Sequence, residues 1–224
     1  GTLGLIVGTF VLLAPKATST HVRWGRYFLY LLSVVVITGF LGWLFFRSDP
    51  FLFLLTLLAG YNGYTGWRIV RRRERKAPAI DFAIAVLALT LGLAFLAFLH
   101  VAEANWNPGL VYSAVGALGL VTVYDIVKYL WLHAYLKKWW LYEHIYKMTS
   151  ADTGLLAAST ATVLEEYQPM SQYVPSILGV MVLIGFIVCT YRYGLMRVPA
   201  NSERAWEAVS KDEIASFSFV PDSG

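Results

Sequence analysis

The stretch FLFLLTLLAGYNGYTGWRIV, residues 51–70, runs straight into Arg71-Arg72-Arg73-Glu74-Arg75-Lys76. The stretch holds no carboxylate, and its only cation, Arg68, sits near its end. As a helix it is long enough to cross the roughly 30 Å hydrocarbon core of a bilayer. The basic run behind it is the mark of a short cytoplasmic loop. Carrying this reading outward in both directions decides the fold.

Six further apolar runs flank it: Gly1–Ala14, Tyr27–Phe46, Ile80–His100, a run from Asn107-Pro108 to about Leu136, Leu141–Leu164 and Tyr173–Leu195. The first is short of the roughly 20 residues a span needs. It has neither a basic n-region nor a clear cleavage site, so a signal peptide fits it poorly. The expectation is that the opening residues of a full helix precede this numbering. The run ending at Leu136 is longer than a membrane requires. A polar turn is expected from Pro15-Lys16 to Arg26.

The charges between runs alternate. One set of loops carries Lys16, Arg23 and Arg26, then Arg71 to Lys76, then Lys137 and Lys138, then Arg192, Arg197 and Arg204. The other set carries Arg47 with Asp49, Glu103 alone, and Glu165 with Glu166. Short cytoplasmic loops hold the Lys and Arg excess. The expected fold is therefore an all-α polytopic transmembrane bundle of about seven spans, N-terminus outside and C-terminus cytoplasmic. Residues 1–198 form the bundle and 199–224 a cytoplasmic tail. In that tail Ser202 followed by Glu203 and Glu207 reads as a capped surface helix, and Phe217 and Phe219 as exposed aromatics.

Composition agrees. The chain has 224 residues, 58% hydrophobic and 14% charged, against about 25% charged in soluble domains. Its 8 Trp and 14 Tyr suit helices crossing two interfaces. The net charge of +4 is small and tied to helix ends, which argues against a nucleic-acid partner. The single cysteine, Cys189, allows no disulfide framework and reads as a buried thiol.

Ionisable groups at membrane depth are costly and face a bundle interior or a cavity. Asp125 and Lys128 lie one turn apart and can pair directly. His144, Met148 and Asp152 are spaced i, i+4, i+8 and share a helix face. That face is either interhelical packing or the lining of a cavity for a cofactor, an ion or a proton path. Glu143, His144 and Lys147 are expected near the cytoplasmic interface, with Asp152 deeper and in need of a partner. Arg68 can reach headgroups or turn inward to Asp125 or Asp152.

His21 and His144 fall in one leaflet on different elements. Such a pair can ligate a haem b iron from both sides, or hold an anionic headgroup together with Arg23 and Arg26. Arg71, Arg72 and Arg73 read as an orientation signal in contact with anionic lipid. Gly60, Gly63 and Gly66 allow close helix approach. His100 belongs to the opposite face, and His133 is within reach of the cytoplasmic cluster. No Walker-type loop, Gly-x-Ser-x-Gly or His-Glu-x-x-His occurs. The metal ligands of a seven-span hydrolase are not convincingly assembled, and no lysine lies midway along the last run for a retinal Schiff base.

Three segments carry a resemblance: Gly1-Thr2-Leu3 through Pro15-Lys16 into His21-Val22-Arg23-Trp24-Gly25-Arg26; Gly63-Tyr64-Thr65-Gly66-Trp67-Arg68; and Trp140-Leu141-Tyr142-Glu143-His144 with Lys147-Met148. Over most of residues 1–193 the chain resembles a family of uncharacterised bacterial polytopic membrane proteins. The resemblance implies a helical fold, a bacterial inner-membrane location, and His21 and His144 as the positions to watch. The chain departs from it after Met148, where Asp152 intrudes and Glu165-Glu166 closes the run. The first functional expectation is a non-enzymatic subunit or scaffold in the bilayer, alongside other membrane subunits or copies of itself. A haem- or cofactor-binding redox protein and a small-molecule or proton pathway through Asp125, Lys128, His144 and Asp152 stand beside it.

Overall fold

The computed structural model describes residues 1–14, 18–46, 49–102, 106–167 and 170–192. The loop charges Lys16, Arg47 and Glu103 and the whole 199–224 tail lie outside them. All described elements are helical. They are α1 (Thr2–Leu13), α2 (Ser19–Phe46), α3 (Pro50–Arg72), α4 (Ala79–Val101) and α5 (Pro108–Val127). A π-turn (Lys128–Leu132), α6 (His133–Leu136) and a 3₁₀ turn (Lys137–Trp139) then carry the chain into α7 (Trp140–Val163). A second 3₁₀ turn, Glu165–Tyr167, precedes α8 (Met170–Arg192).

The helix starts follow local chemistry. Asp49 accepts from the Phe51 amide (2.8 Å) with Pro50 beside it, and Asn107 accepts from the Leu110 amide (3.3 Å) with Pro108 beside it. A side-chain cap followed by proline at the first helical position satisfies one orphan donor and removes another. Thr18 accepts from the His21 amide (3.2 Å). That cap overturns the expected polar turn: Ser19 to Arg26 are the first two turns of α2, so His21, Arg23 and Arg26 ride on a helix.

α3 is the hub. It packs against α2, α4, α5 and α7, while α7 also packs against α1 and α8. Buried residues run along α3 from Phe51 to Ile69, whereas α2 buries only Phe28 and Leu32. The outer helices present bare apolar side chains instead, such as Ile37, Phe45 and Phe46 of α2 and Ile177, Val180 and Met181 of α8. Cys189 belongs to this outer surface and is exposed, not buried. Its neighbours are apolar because they face outward.

Among the described residues, four stretches are long and apolar enough to cross a membrane: Ser19–Phe46, Ala79–Val101, the helical run Pro108–Val163 and Tyr173–Arg192. This is coarser than the seven runs expected. α1 has 12 described residues. The second half of α3 carries Tyr61, Asn62, Thr65 and Arg68, which dilute its apolar character. α5 and α7 belong to one unbroken helical run because π and 3₁₀ turns replace a loop between them.

α3 and α7 approach most closely at small residues. A Cβ placed on Gly154 would sit 3.3 Å from the Ala59 Cβ, and one on Gly66 would sit 3.1 Å from the Lys147 Cβ. Gly116 on α5 has open space instead. We expect Gly154→Leu to cost about 1–3 kcal/mol through overpacking, and Gly116→Leu to cost almost nothing. Thermal unfolding in detergent compares the two, and equal loss would contradict this packing.

Candidate functional site

The sequence places four charges on two neighbouring helices in the same order, acid before base: Asp125 then Lys128 on the α5 side, Glu143 then Lys147 on α7. The turn through α6 reverses the chain, so the second pair runs back past the first. The Lys147 ammonium pairs with the Asp125 carboxylate and donates to Thr65 Oγ1 (3.0 Å). The Tyr61 hydroxyl donates to the same Asp125 oxygen (2.5 Å), and the Tyr61 ring lies 5.3 Å from the ammonium. Lys128 pairs with Glu143, which also accepts from the Tyr124 hydroxyl (2.7 Å).

The expected Asp125–Lys128 pair is thus replaced by two interhelical pairs. Lys147 is 1% exposed and Glu143 is buried, and an uncompensated buried charge costs several kcal/mol. Glu143 and Lys147 also stand at i, i+4 on α7, yet each pairs across to the neighbouring helix instead of along its own. Cross-pairing neutralises all four. Lys147 is thus buried among the helices.

Arg68 turns to neither Asp125 nor Asp152. It donates to Asp81 (2.8 and 3.0 Å), and Arg72 donates to the other oxygen (2.5 Å). Arg68 and Arg72 share one face of α3 at i, i+4 spacing, and a short connection brings Asp81, in the first turn of α4, against them. A carboxylate in a helix's first turn also opposes the positive end of the helix dipole.

These groups line one cleft among α3, α4, α5 and α7. Eight Lys and Arg side chains face two carboxylates, Asp81 and Asp125. Lys147, Asp125 and Thr65 form the floor, while Arg73, Arg75, Lys76 and Lys137 belong to the loop end. The interior has room for one or two waters. His133 lines the same cleft, as expected.

Of the expected headgroup residues, Arg72 is thus committed inward and Arg73 lines the cleft from the α3 C-cap, where its φ is 50°. Arg71 stacks over Trp67 (4.4 Å). Arg23 joins Trp24, Tyr27 and Tyr30 along an outer groove beside α1. Arg26 is half-buried on α2.

His144 Nδ1 donates to the Gly66 carbonyl (3.1 Å), which orients the ring. Met148 packs with Phe28, Leu32 and Ala151. Phe28 neighbours Asp152 across Gly8, and Leu31 neighbours Leu155 across Gly4. By that register His21 falls level with Ile145, next to His144. No group of three or more His, Cys, Asp and Glu among the described residues is arranged to hold a metal. His100 contacts Tyr112 (3.2 Å) and Trp106 at the other end of the bundle.

Sequence reading missed Tyr61, Thr65, Asp81, Tyr124, Glu143 and Lys147 as site residues. The repeated acid-then-base order on either side of the antiparallel α5–α7 turn was the available signal for the two acid–base pairs. For the tyrosines there was none.

No known protein-family model, curated protein or solved structure matches this chain.

Lys147→Met alone should cost about 3–5 kcal/mol, because it strands Asp125. Adding Asp125→Asn should recover at least half of that loss. Unfolding in detergent for both single variants and the double variant reads the coupling, and additive losses would show that the pair is not one unit.

Proposed function

We propose that this chain is a seven-span integral protein of a bacterial inner membrane, with its N-terminus outside and its C-terminus in the cytoplasm. It acts without covalent chemistry, as a subunit or scaffold, and holds the phosphate of an anionic lipid headgroup at the mouth of the α3–α4–α5–α7 cleft. The observation that carries this reading is the positive excess in that cleft. Its carboxylates are engaged deep inside, by Lys147, Arg68 and Arg72. Arg75, Lys76 and Lys137 stand at the loop end, where a headgroup lies. Charge-assisted contacts from Arg to phosphate are among the stronger hydrogen bonds.

The seven-span topology is supported by the alternation of loop charge and by the apolar outer faces of α2 and α8. A polar interior under an apolar exterior is what a bilayer, in place of water, selects. The likeness to uncharacterised bacterial membrane proteins supports the location alone.

In a Cys189→Ala background, a cysteine at Lys76 should resist an impermeant maleimide in intact cells and react after permeabilisation. One at Asp49 should react in both. The reverse pattern would invert the topology.

Native mass spectrometry from detergent should show phosphatidylglycerol retained over phosphatidylcholine. The triple variant Arg75→Gln, Lys76→Gln, Lys137→Gln should lose that preference by about tenfold, each cation near a surface contributing about 1 kcal/mol. Inorganic phosphate should not displace the lipid. Displacement would identify a free anion as the ligand, and an unchanged preference in the variant would remove the cleft from lipid binding.

A further inference from the structure

A second buried acid lies outside the cleft, on the opposite side of α7. Asp152 is 8% exposed, and its Oδ1 is buried with no hydrogen-bond partner. Around it stand Gly8 of α1 and Phe28 of α2, within the apolar cluster of Leu32, Ala59, Ala151 and Leu155.

α1 covers this carboxyl through glycine. Gly1 meets Ser159, Gly4 meets Leu155 and Gly8 meets Asp152, so α1 runs antiparallel to α7 with a one-sided glycine seam. A Cβ at Gly8 would fall on Asp152 Oδ1 and crowd the Phe28 ring. Only glycine lets the α1 backbone close over the acid.

Among the described residues no salt bridge to it is formed. α1 has no titratable side chain. On α2, Arg23, Tyr27 and Tyr30 line the outer groove, while His21 and Arg26 lie in its first two turns. On α3, Tyr61 is engaged by Asp125, and Arg68 and Arg72 by Asp81. On α7 itself Lys147 is engaged by Asp125, Glu143 by Lys128, and His144 lies two turns away. The titratable groups of α8 are Tyr173, Cys189, Tyr191 and Arg192, toward its ends. An ionised carboxylate in such surroundings is far costlier than a neutral acid.

We propose that Asp152 is a proton-binding site beneath the glycine face of α1, occupied by a proton at neutral pH. The site takes a proton as its ligand and is independent of the anion cleft. It is also a modification site for a hydrophobic carbodiimide. In that reaction the acid proton passes to a carbodiimide nitrogen as the carboxyl oxygen bonds to the central carbon, and no atom is lost.

The test treats the whole purified protein in detergent with dicyclohexylcarbodiimide at neutral pH and maps adducts by peptide mass. The expected result is one adduct on Asp152, formed at least about tenfold faster than on exposed Glu74, because an ordinary carboxyl is almost wholly ionised there. The adduct should vanish in Asp152→Asn, and a water-soluble carbodiimide should not form it. Gly8→Ala should admit the water-soluble reagent by lifting α1. The wild-type pH profile stands whether or not the variants fold. Absence of an Asp152 adduct at neutral pH, or labelling that appears only at acid pH, would overturn the proposal.

Discussion

Lys147 sets the terms for this bundle. Its ammonium is carried to the centre of the bundle with 1% of the residue exposed, and a cation there must find an anion. Asp125, Thr65 and the Tyr61 ring converge on it from α5 and α3. Once Asp125 is engaged, Lys128 needs another partner, and Glu143 supplies it. The two pairs fix the register of α5 against α7 with α3 between them. The pair also depends on a glycine: the Lys147 stem passes Gly66, where any larger residue would press on its Cβ.

The helical class was legible because apolar runs are long and loop charge alternates, and neither signal needs tertiary contacts. Which helix lies at the centre was less legible. α3 reads as an ordinary span from residues 51–70, yet its Tyr61, Asn62 and Thr65 are buried against other helices. Polarity within an apolar run marks an interior helix, and that cue was present in the glycine and hydroxyl content of residues 60–66. The site was half legible. Asp125, Lys128 and Arg68 were recognised as charges needing partners, but pairing was assigned along one helix. Spacing within a helix is visible in a sequence, whereas the angle at which the next helix returns is not. Here π and 3₁₀ turns between Lys128 and Trp139 set that angle. The expected turn before Arg26 failed for a simpler reason: Thr18-Ser19-Thr20 is a capping sequence, and one side-chain bond starts α2 earlier.

The bundle divides into two rings that share α3 and α7. One ring, with α4 and α5, is charged, and its buried ionised groups are paired. The other, with α1 and α2, is apolar around Asp152. A buried charge therefore has two different costs. In the charged ring each buried ionised group has a counter-charge within hydrogen-bond reach. In the apolar ring a single carboxyl has only Gly8, Phe28 and aliphatic neighbours, and neutralisation by a proton is the one remaining route to low energy.

The rings are not mechanically separate. Lys147 and Asp152 stand five residues apart on α7, about 7.5 Å along one helix axis at the α-helical rise. A helix of that length moves as one body, so a displacement of α7 that stretches the Lys147–Asp125 pair also shifts Asp152 against the α1 backbone at Gly8. The converse holds, because α1 cannot lift from Asp152 without changing how α7 is held from that side. Ionisation of Asp152 would favour any position of α7 that admits water, and the Lys147–Asp125 pair favours the position that excludes it. The packing of α7 must therefore satisfy a charged pair on one face and a lone carboxyl on the other.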